Sequence, residues 1–176
     1  VHRIDKDTSG LLVIAKTETA MTALAAQFFH HTIDRTYLAL VWGEPEADSG
    51  TVRGHIGRSA KDRKVMDVFP DGSQGKHAVT HWKVLKRLRY VSLIQCNLET
   101  GRTHQIRVHM SGLRHPCCGD LTYGADPTVA AKLKLDRQWL HAVRLGFEHP
   151  VSGERVTFHS EYAPDLAKSL ELARNL

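Results

Sequence analysis

Val1-His2-Arg3-Ile4-Asp5-Lys6-Asp7-Thr8-Ser9-Gly10-Leu11-Leu12-Val13-Ile14-Ala15-Lys16 opens the chain and sets its reading. A segment dense in charge runs through the turn formers Thr8, Ser9 and Gly10 straight into an apolar, β-branched run. That order predicts a loop pinned to the start of a buried strand over Leu11–Ala15. Loops carry chemistry when a rigid element holds them. This one offers an imidazole, a guanidinium and a carboxylate at His2, Arg3 and Asp5. Taken alone it also fits a solvated turn, and the remainder of the chain has to decide.

Beyond the loop, Thr17 is placed to cap a helix running to about His31, with Met21, Leu24, Ala25 and Phe28 as its apolar stripe. Arg35–Trp42 is β-branched and aromatic and closes on Gly43-Glu44-Pro45, the pattern of a strand. Residues 51–76 are polar and turn-rich, with short strands expected around Val52–Ile56 and Lys64–Phe69 and a reversal at Asp71-Gly72. His77–Leu88 and Tyr90–Leu98 read as a long hairpin. A helix follows Gly101-Arg102-Thr103, with Ile106, Met110 and Leu113 inward, and stops at His115-Pro116 because proline cannot continue it. A short helix near Val129–Leu135, strands over Trp139–Phe147 and Arg155–His159, and a helix opened by Pro164 complete the order. Strands and helices do not alternate strictly, so the expected class is α+β with a mixed, largely antiparallel sheet flanked by helices.

The length of 176 residues suits one domain with an ordinary core. No apolar run approaches a membrane span, and no signal or lipidation motif is visible, so no membrane partner is expected. Cys96, Cys117 and Cys118 do not form a disulfide framework and point to a reducing, cytoplasmic setting. A formal charge of +5 favours an anionic partner, nucleic acid first. Arg53, Arg58, Lys61, Arg63 and Lys64 crowd one segment, and Lys83, Lys86, Arg87 and Arg89 the next strand. Such clusters either track a phosphate backbone or form solvated faces. Metal chemistry finds no support in spacing. His77 and His81, or His115 with Cys117 and Cys118, lack finger or ribbon intervals, and Pro116-Cys117-Cys118-Gly119 is not a zinc deaminase motif.

Four segments are over-specified for packing alone: the Asp5 loop, Tyr37 on the strand that begins with Arg35, Glu99-Thr100-Gly101-Arg102-Thr103-His104-Gln105-Ile106-Arg107-Val108-His109, and Arg114-His115-Pro116-Cys117-Cys118-Gly119-Asp120-Leu121-Thr122-Tyr123-Gly124. The first, third and fourth resemble, in order, the three signatures of the RluA-type RNA pseudouridine synthases. Leu140-His141-Ala142 through Phe147 to His149-Pro150 is similar to the family's carboxy-terminal strand. The resemblance covers essentially residues 1–176 and implies a single pseudouridine synthase catalytic domain. It also implies that family sequence ahead of the motif is missing from this chain: a strand and turn and, in many members, a small S4 domain.

The resemblance assigns catalytic roles to Asp5, Tyr37 and Arg107. Asp5 matches the essential aspartate, Arg107 the arginine that pairs with it, and Tyr37 the tyrosine that stacks on the base and assists proton removal. Substrate binding falls to Ile106 as the apolar wall, Arg3 as the residue entering the RNA stack, and His2, Arg102 and His104 within the signatures. For His104 and His109, RNA contact and helix packing stay open. The implied reaction isomerises uridine, so no cofactor and no metal is required. The implied partner is RNA, with large-subunit ribosomal RNA (23S) ahead of transfer RNA, and the expected state is a monomer. The rival reading is a non-catalytic RNA-binding fragment of the same fold, which predicts decay at Asp5 or Arg107; both are intact.

Overall fold

A computed structural model describes the whole chain, Val1–Leu176. Strand β1 is only Ser9–Gly10. Helix α1 (Glu18–Phe29) begins where Thr17 Oγ1 accepts the Ala20 N–H at 3.1 Å. Strand β2 (Asp34–Trp42) is followed by β3 (Ser49–Arg53) and by the separate hairpin β4 (His55–Arg58) and β5 (Met66–Phe69). The long hairpin is β6 (Val79–Arg87) and β7 (Val91–Leu98), and it leads to α2 (Gln105–Gly112). A single 3-10 turn at Leu121–Tyr123 precedes α3 (Pro127–Lys132), β8 (Leu140–Glu148), β9 (Arg155–His159) and α4 (Pro164–Ala173).

The main sheet runs β1-β8-β2-β7-β6-β3, with β9 also on β8, and only the β1–β8 pair is parallel. The class is therefore α+β with a mostly antiparallel sheet, as the sequence predicts. β2 lies at its centre and is buried on both faces, which accounts for its unbroken apolar run. Tyr37, Ala39 and Val41 point to one side, where Ile106 and Met110 of α2 close a core with Ile94, Cys96 and Cys117. Leu38 and Leu40 point to the other, against Leu133, Trp139 and the α4 residues Leu166, Leu170 and Ala173.

Three local expectations are corrected, one of them at Leu113, which was expected inward but is 38% exposed just past the end of α2. Leu11–Ala15 is not a strand. Its burial alternates as the pattern implies, yet no strand pairs with it, and Leu12 and Ile14 are exposed. The sheet instead takes up the chain two residues earlier, at Ser9 and Gly10, because Gly10 lets the backbones meet. Its φ is +109°, and a Cβ there would lie 2.3 Å from the Ala142 carbonyl oxygen. In α1 the stripe is narrower than four residues: Leu24 is buried, Phe28 half-buried, and Met21 and Ala25 face out. The helix covers only the small core of Leu24, Ile33, Leu145 and Phe147 at the edge of the sheet.

Candidate active site

Asp5 sits in a turn closed by the Thr8 N–H on its own carbonyl at 3.1 Å. The turn is clamped from the residues that lead into β8. Gln138 Nε2 donates to the Lys6 carbonyl at 2.9 Å and to Thr8 Oγ1 at 3.1 Å. Arg137 donates to the Asp7 carbonyl at 2.6 Å and to Ser9 Oγ at 3.2 Å, while Asp165 of α4 holds its guanidinium from behind at 2.8 and 2.9 Å. Loop backbone that has no ladder of its own is thus satisfied by side chains. Sequence reasoning missed Arg137 and Gln138. The signal was their place one residue ahead of the Leu140-His141-Ala142 motif, across Trp139.

The start of α2 is fixed in the same manner. Gln105 accepts from Thr100 Oγ1 at 2.7 Å and from the Arg102 N–H at 3.0 Å, and donates to the Val79 carbonyl and Thr80 Oγ1, both at 2.9 Å. Two residues on, Arg107 turns into the interior and reaches two carboxylates. Its Nη1 stands 3.5 Å from Asp5 Oδ2, and its Nε and Nη2 form a fork on Asp120 at 2.7 and 3.0 Å. Asp120 is the closer partner, and it was not among the expected site residues. It lies within the His115–Gly124 signature, which is where the sequence carried the hint. Burial alone would lower the Arg107 pKa, but hydrogen bonds and charge from Asp120, then the charge of Asp5, hold it above an arginine's usual value. The guanidinium also lies over the Tyr123 ring, 5.0 Å from its centroid. Tyr123 Oη accepts the Met66 N–H at 2.9 Å and sits 2.6 Å from His104 Nδ1, so His104 braces this shell.

In front of Asp5 is a recess of about 40 Å³ lined by Asp5, Tyr37, Ile106, Arg3 and Arg102 together with Arg35. Five of the expected residues thus share one cavity. Arg107 pairs with Asp5 and His104 contacts Tyr123, and neither lines the recess. Burial pushes the Tyr37 phenol up to about 12; Arg35 opposes this and Asp5 adds to it. At neutral pH the ring is therefore an uncharged phenol, suited to stacking and donation. His2 lines the neighbouring cleft, stacks on Phe28 at 4.7 Å, and accepts the Val13 N–H on Nε2 at 3.1 Å. Of the basic clusters, Arg87 is bound to Asp48 and to the Pro45 and Ala47 carbonyls, so its charge is committed to the fold.

A clamped carboxylate, a buried guanidinium and an aromatic–aliphatic pocket thus lie together, drawn from the segments singled out in the sequence. The pattern of the RNA pseudouridylate synthase family matches residues 1–112. The chain belongs to this family. It is 50% identical over 170 residues to ribosomal large subunit pseudouridine synthase D of Zymomonas mobilis, covering 94% of this chain and 53% of that protein. An uncharacterized RNA pseudouridine synthase of Mycobacterium bovis is 49% identical over 174 residues, covering 99% of this chain and 56% of that protein. The chain therefore spans about half the length of the curated relatives it matches. Among solved structures, human RNA pseudouridylate synthase domain containing 4 superposes with a TM-score of 0.80 at 25% identity, covering 98% of this chain and 74% of that one. Human RNA pseudouridylate synthase domain containing 1 gives 0.76 at 33%, covering 94% and 70%.

Membership of the pseudouridylate synthases bears out the RluA-type resemblance drawn from the motifs. No helix is long and apolar enough to cross a membrane.

Proposed function

We propose that this chain is the catalytic domain of an RNA pseudouridine synthase that isomerises specific uridines in large-subunit ribosomal RNA. In the reaction the N1–C1′ glycosidic bond breaks and the uracil turns within the pocket. A C5–C1′ bond then forms, the C5 hydrogen leaves as a proton, and N1 is protonated. The product is an isomer of the substrate. The observation that carries the reading is the carboxylate of Asp5 on the wall of the recess, 3.5 Å from a guanidinium that Asp120 holds in a fork. An ionised carboxylate beside C1′ needs such a fixed counter-charge. Attack on C1′, addition to the base and removal of the C2′ proton all require that group at that point.

Taking a base out of its stack costs a few kcal/mol. Tyr37 restores stacking on the protein side, worth roughly 1–3 kcal/mol. Ile106 closes the pocket against water, and Arg3 at its rim fills the space the base leaves. The ribosomal substrate rests on relatives whose names carry it, such as that of Zymomonas mobilis.

Release of tritium from uridine labelled at C5 in a large-subunit ribosomal RNA transcript tests the reading, with the parent chain compared against Asp5→Ala. Release by the parent alone, with RNA binding equal in both, supports it. Release from a transfer RNA transcript alone moves the substrate. Release by neither chain from either RNA, with binding intact, leaves an RNA-binding fragment and overturns the synthase.

A further inference from the structure

Two largely buried arginines are paired with carboxylates, Arg107 with Asp120 and Asp5 and Arg137 with Asp165, and the partly exposed Arg144 is paired with Asp34. Arg35 has no such partner. It is 9% exposed, its Nε has no hydrogen-bond partner, and its single protein acceptor is the Glu99 carbonyl at 3.5 Å, the limit of such a bond. A buried guanidinium without a counter-charge costs several kcal/mol. Burial lowers its pKa, partly opposed by Tyr37, and the charge of Arg102 lowers it further. A fold that retains such a group between two cavities leaves it an unmet demand for an anion.

The surroundings say where that anion comes from. Arg35 lines the Asp5 recess on one side and a cleft of about 810 Å³ on the other, and Arg3, Gly101 and Arg102 line both as well. The larger cleft has no acidic residue on its wall, and Asp5 alone lines the recess with a carboxylate. Arg102 spends only its Nε, on the His77 carbonyl at 2.8 Å, and keeps its terminal nitrogens free. Gly101 has no side chain in the way: a Cβ there would fall 2.3 Å from Arg35 Nη1. On the cleft wall the Arg35 guanidinium lies over the Phe28 ring, 5.2 Å from its centroid, a face that supplies no counter-charge, and Phe29 beside it is 78% exposed. Free cationic donors next to an exposed aromatic are the features by which proteins hold a polynucleotide strand rather than a free ion.

We propose that Arg35, with Arg102, forms a site for one RNA backbone phosphodiester at the threshold between the recess and the cleft, adjacent to the nucleotide whose base enters the recess. The assignment rests on the pseudouridine synthase reading for which nucleotide is engaged, but not for the binding itself. The buried guanidinium supplies the fixed charge and Arg102 closes over the anion from the solvent side. The sugar of the target uridine is thereby anchored next to Asp5. Tight phosphate contacts set register while the pocket selects the base.

The test uses the 176-residue chain and a large-subunit ribosomal RNA transcript. Loss of one phosphate contact in Arg35→Gln is expected to weaken binding about tenfold or more. The slope of log K against log salt should fall by about 0.7–0.9. Arg35→Lys should recover most of the slope, because it restores charge without the fork. On a transcript with randomly ethylated phosphates, the parent chain should be blocked by ethylation within one nucleotide of the pseudouridine it makes, and Arg35→Gln should be indifferent to that position. Where Arg35→Gln melts early, Arg102→Gln carries the same slope and interference measurements from the surface. An unchanged slope in a folded variant, or interference that persists in it, overturns the proposal. So does stabilisation of the parent by inorganic phosphate below 1 mM, which would make this a site for the free ion. A parent chain that binds but releases no tritium overturns the activity reading; slope and interference would still decide the phosphate site, with the blocked phosphate then mapped without reference to a product.

Discussion

Arg107 shows how a single side chain serves two carboxylates with different duties. The fork on Asp120 uses Nε and Nη2 and leaves Nη1 for Asp5. Asp120→Asn keeps the shape and one acceptor but removes the charge that holds Arg107 in place. Breaking a buried pair costs about 3–5 kcal/mol, and the retained acceptor puts this variant at the lower end. Urea unfolding should read that loss. Single-turnover tritium release should fall at least tenfold while the RNA Kd stays unchanged, because Asp120 sets the position of Arg107 and touches no substrate. Equal losses in turnover and Kd would assign Asp120 to RNA binding instead. At Tyr37 a pKa near 12 means that the phenol stays protonated through the working range. The pH–rate profile should therefore carry no basic limb from this group below about pH 11, and Tyr37→Phe should retain its RNA affinity because the stacking ring remains. A basic limb that disappears in Tyr37→Phe would show the phenol ionising in the reaction.

The elements are held by devices of very different reach. The α1 cap is local: Thr17→Ala removes the acceptor for the Ala20 N–H and should cost about 0.5–2 kcal/mol with turnover unaffected. The β1–β8 contact is not local. Ser9 and Gly10 pair with His141 and Ala142 across more than a hundred residues, and that pairing sets where Asp5 stands. Gly10→Ala places a Cβ against the Ala142 backbone at a φ of +109°, and backbone cannot yield as a side-chain tip can. Amide exchange over residues 5–11 should quicken and tritium release should fall at least tenfold, while α4 and the β6–β7 hairpin keep their protection. Uniform loss of protection would instead make this contact a keystone of the whole sheet.

At the scale of the whole molecule, burial lowers the pKa of four histidines, His2, His104, His109 and His141, and the shift is large at His2 and His109. Burial pushes His2 down to about 4, helped by Arg35, and pushes His109 down to about 4 against the pull of the Gly54 backbone. His109 Nδ1 is tied to Thr80 Oγ1 at 2.8 Å beneath α2. In the unfolded chain both titrate near 6.5, so unfolding takes up protons between about pH 6.5 and 4. Their contribution is fully present above pH 6.5 and is lost as pH falls through that window, at up to about 1.4 kcal/mol per pH unit for each group. Denaturant midpoints measured from pH 7.5 to 4.5 should decline accordingly, and His109→Gln should flatten the decline. A flat profile in the parent would mean that both rings are protonated in the fold at no cost.

Much of this protein is legible along the chain. β2 is legible as a strand because it is rich in β-branched and aromatic residues and buried from Arg35 to Val41, α1 begins at Thr17 because the cap is three residues from its donor, and the Asp5 segment reads as a loop from its turn residues. The motif residues Arg3, Asp5, Tyr37, Arg102 and Ile106 meet in one recess, from the loop before β1, the middle of β2, and the loop and first turn that open α2. Pairing across the sheet obeys no such local rule. Whether Leu11–Ala15 finds a strand partner, whether Arg107 grips Asp120 more closely than Asp5, and that Arg137 and Gln138 clamp the loop all depend on which segments the sheet order brings together. Those contacts are set by burial and hydrogen-bond satisfaction summed over distant segments, and only the tertiary structure decided them.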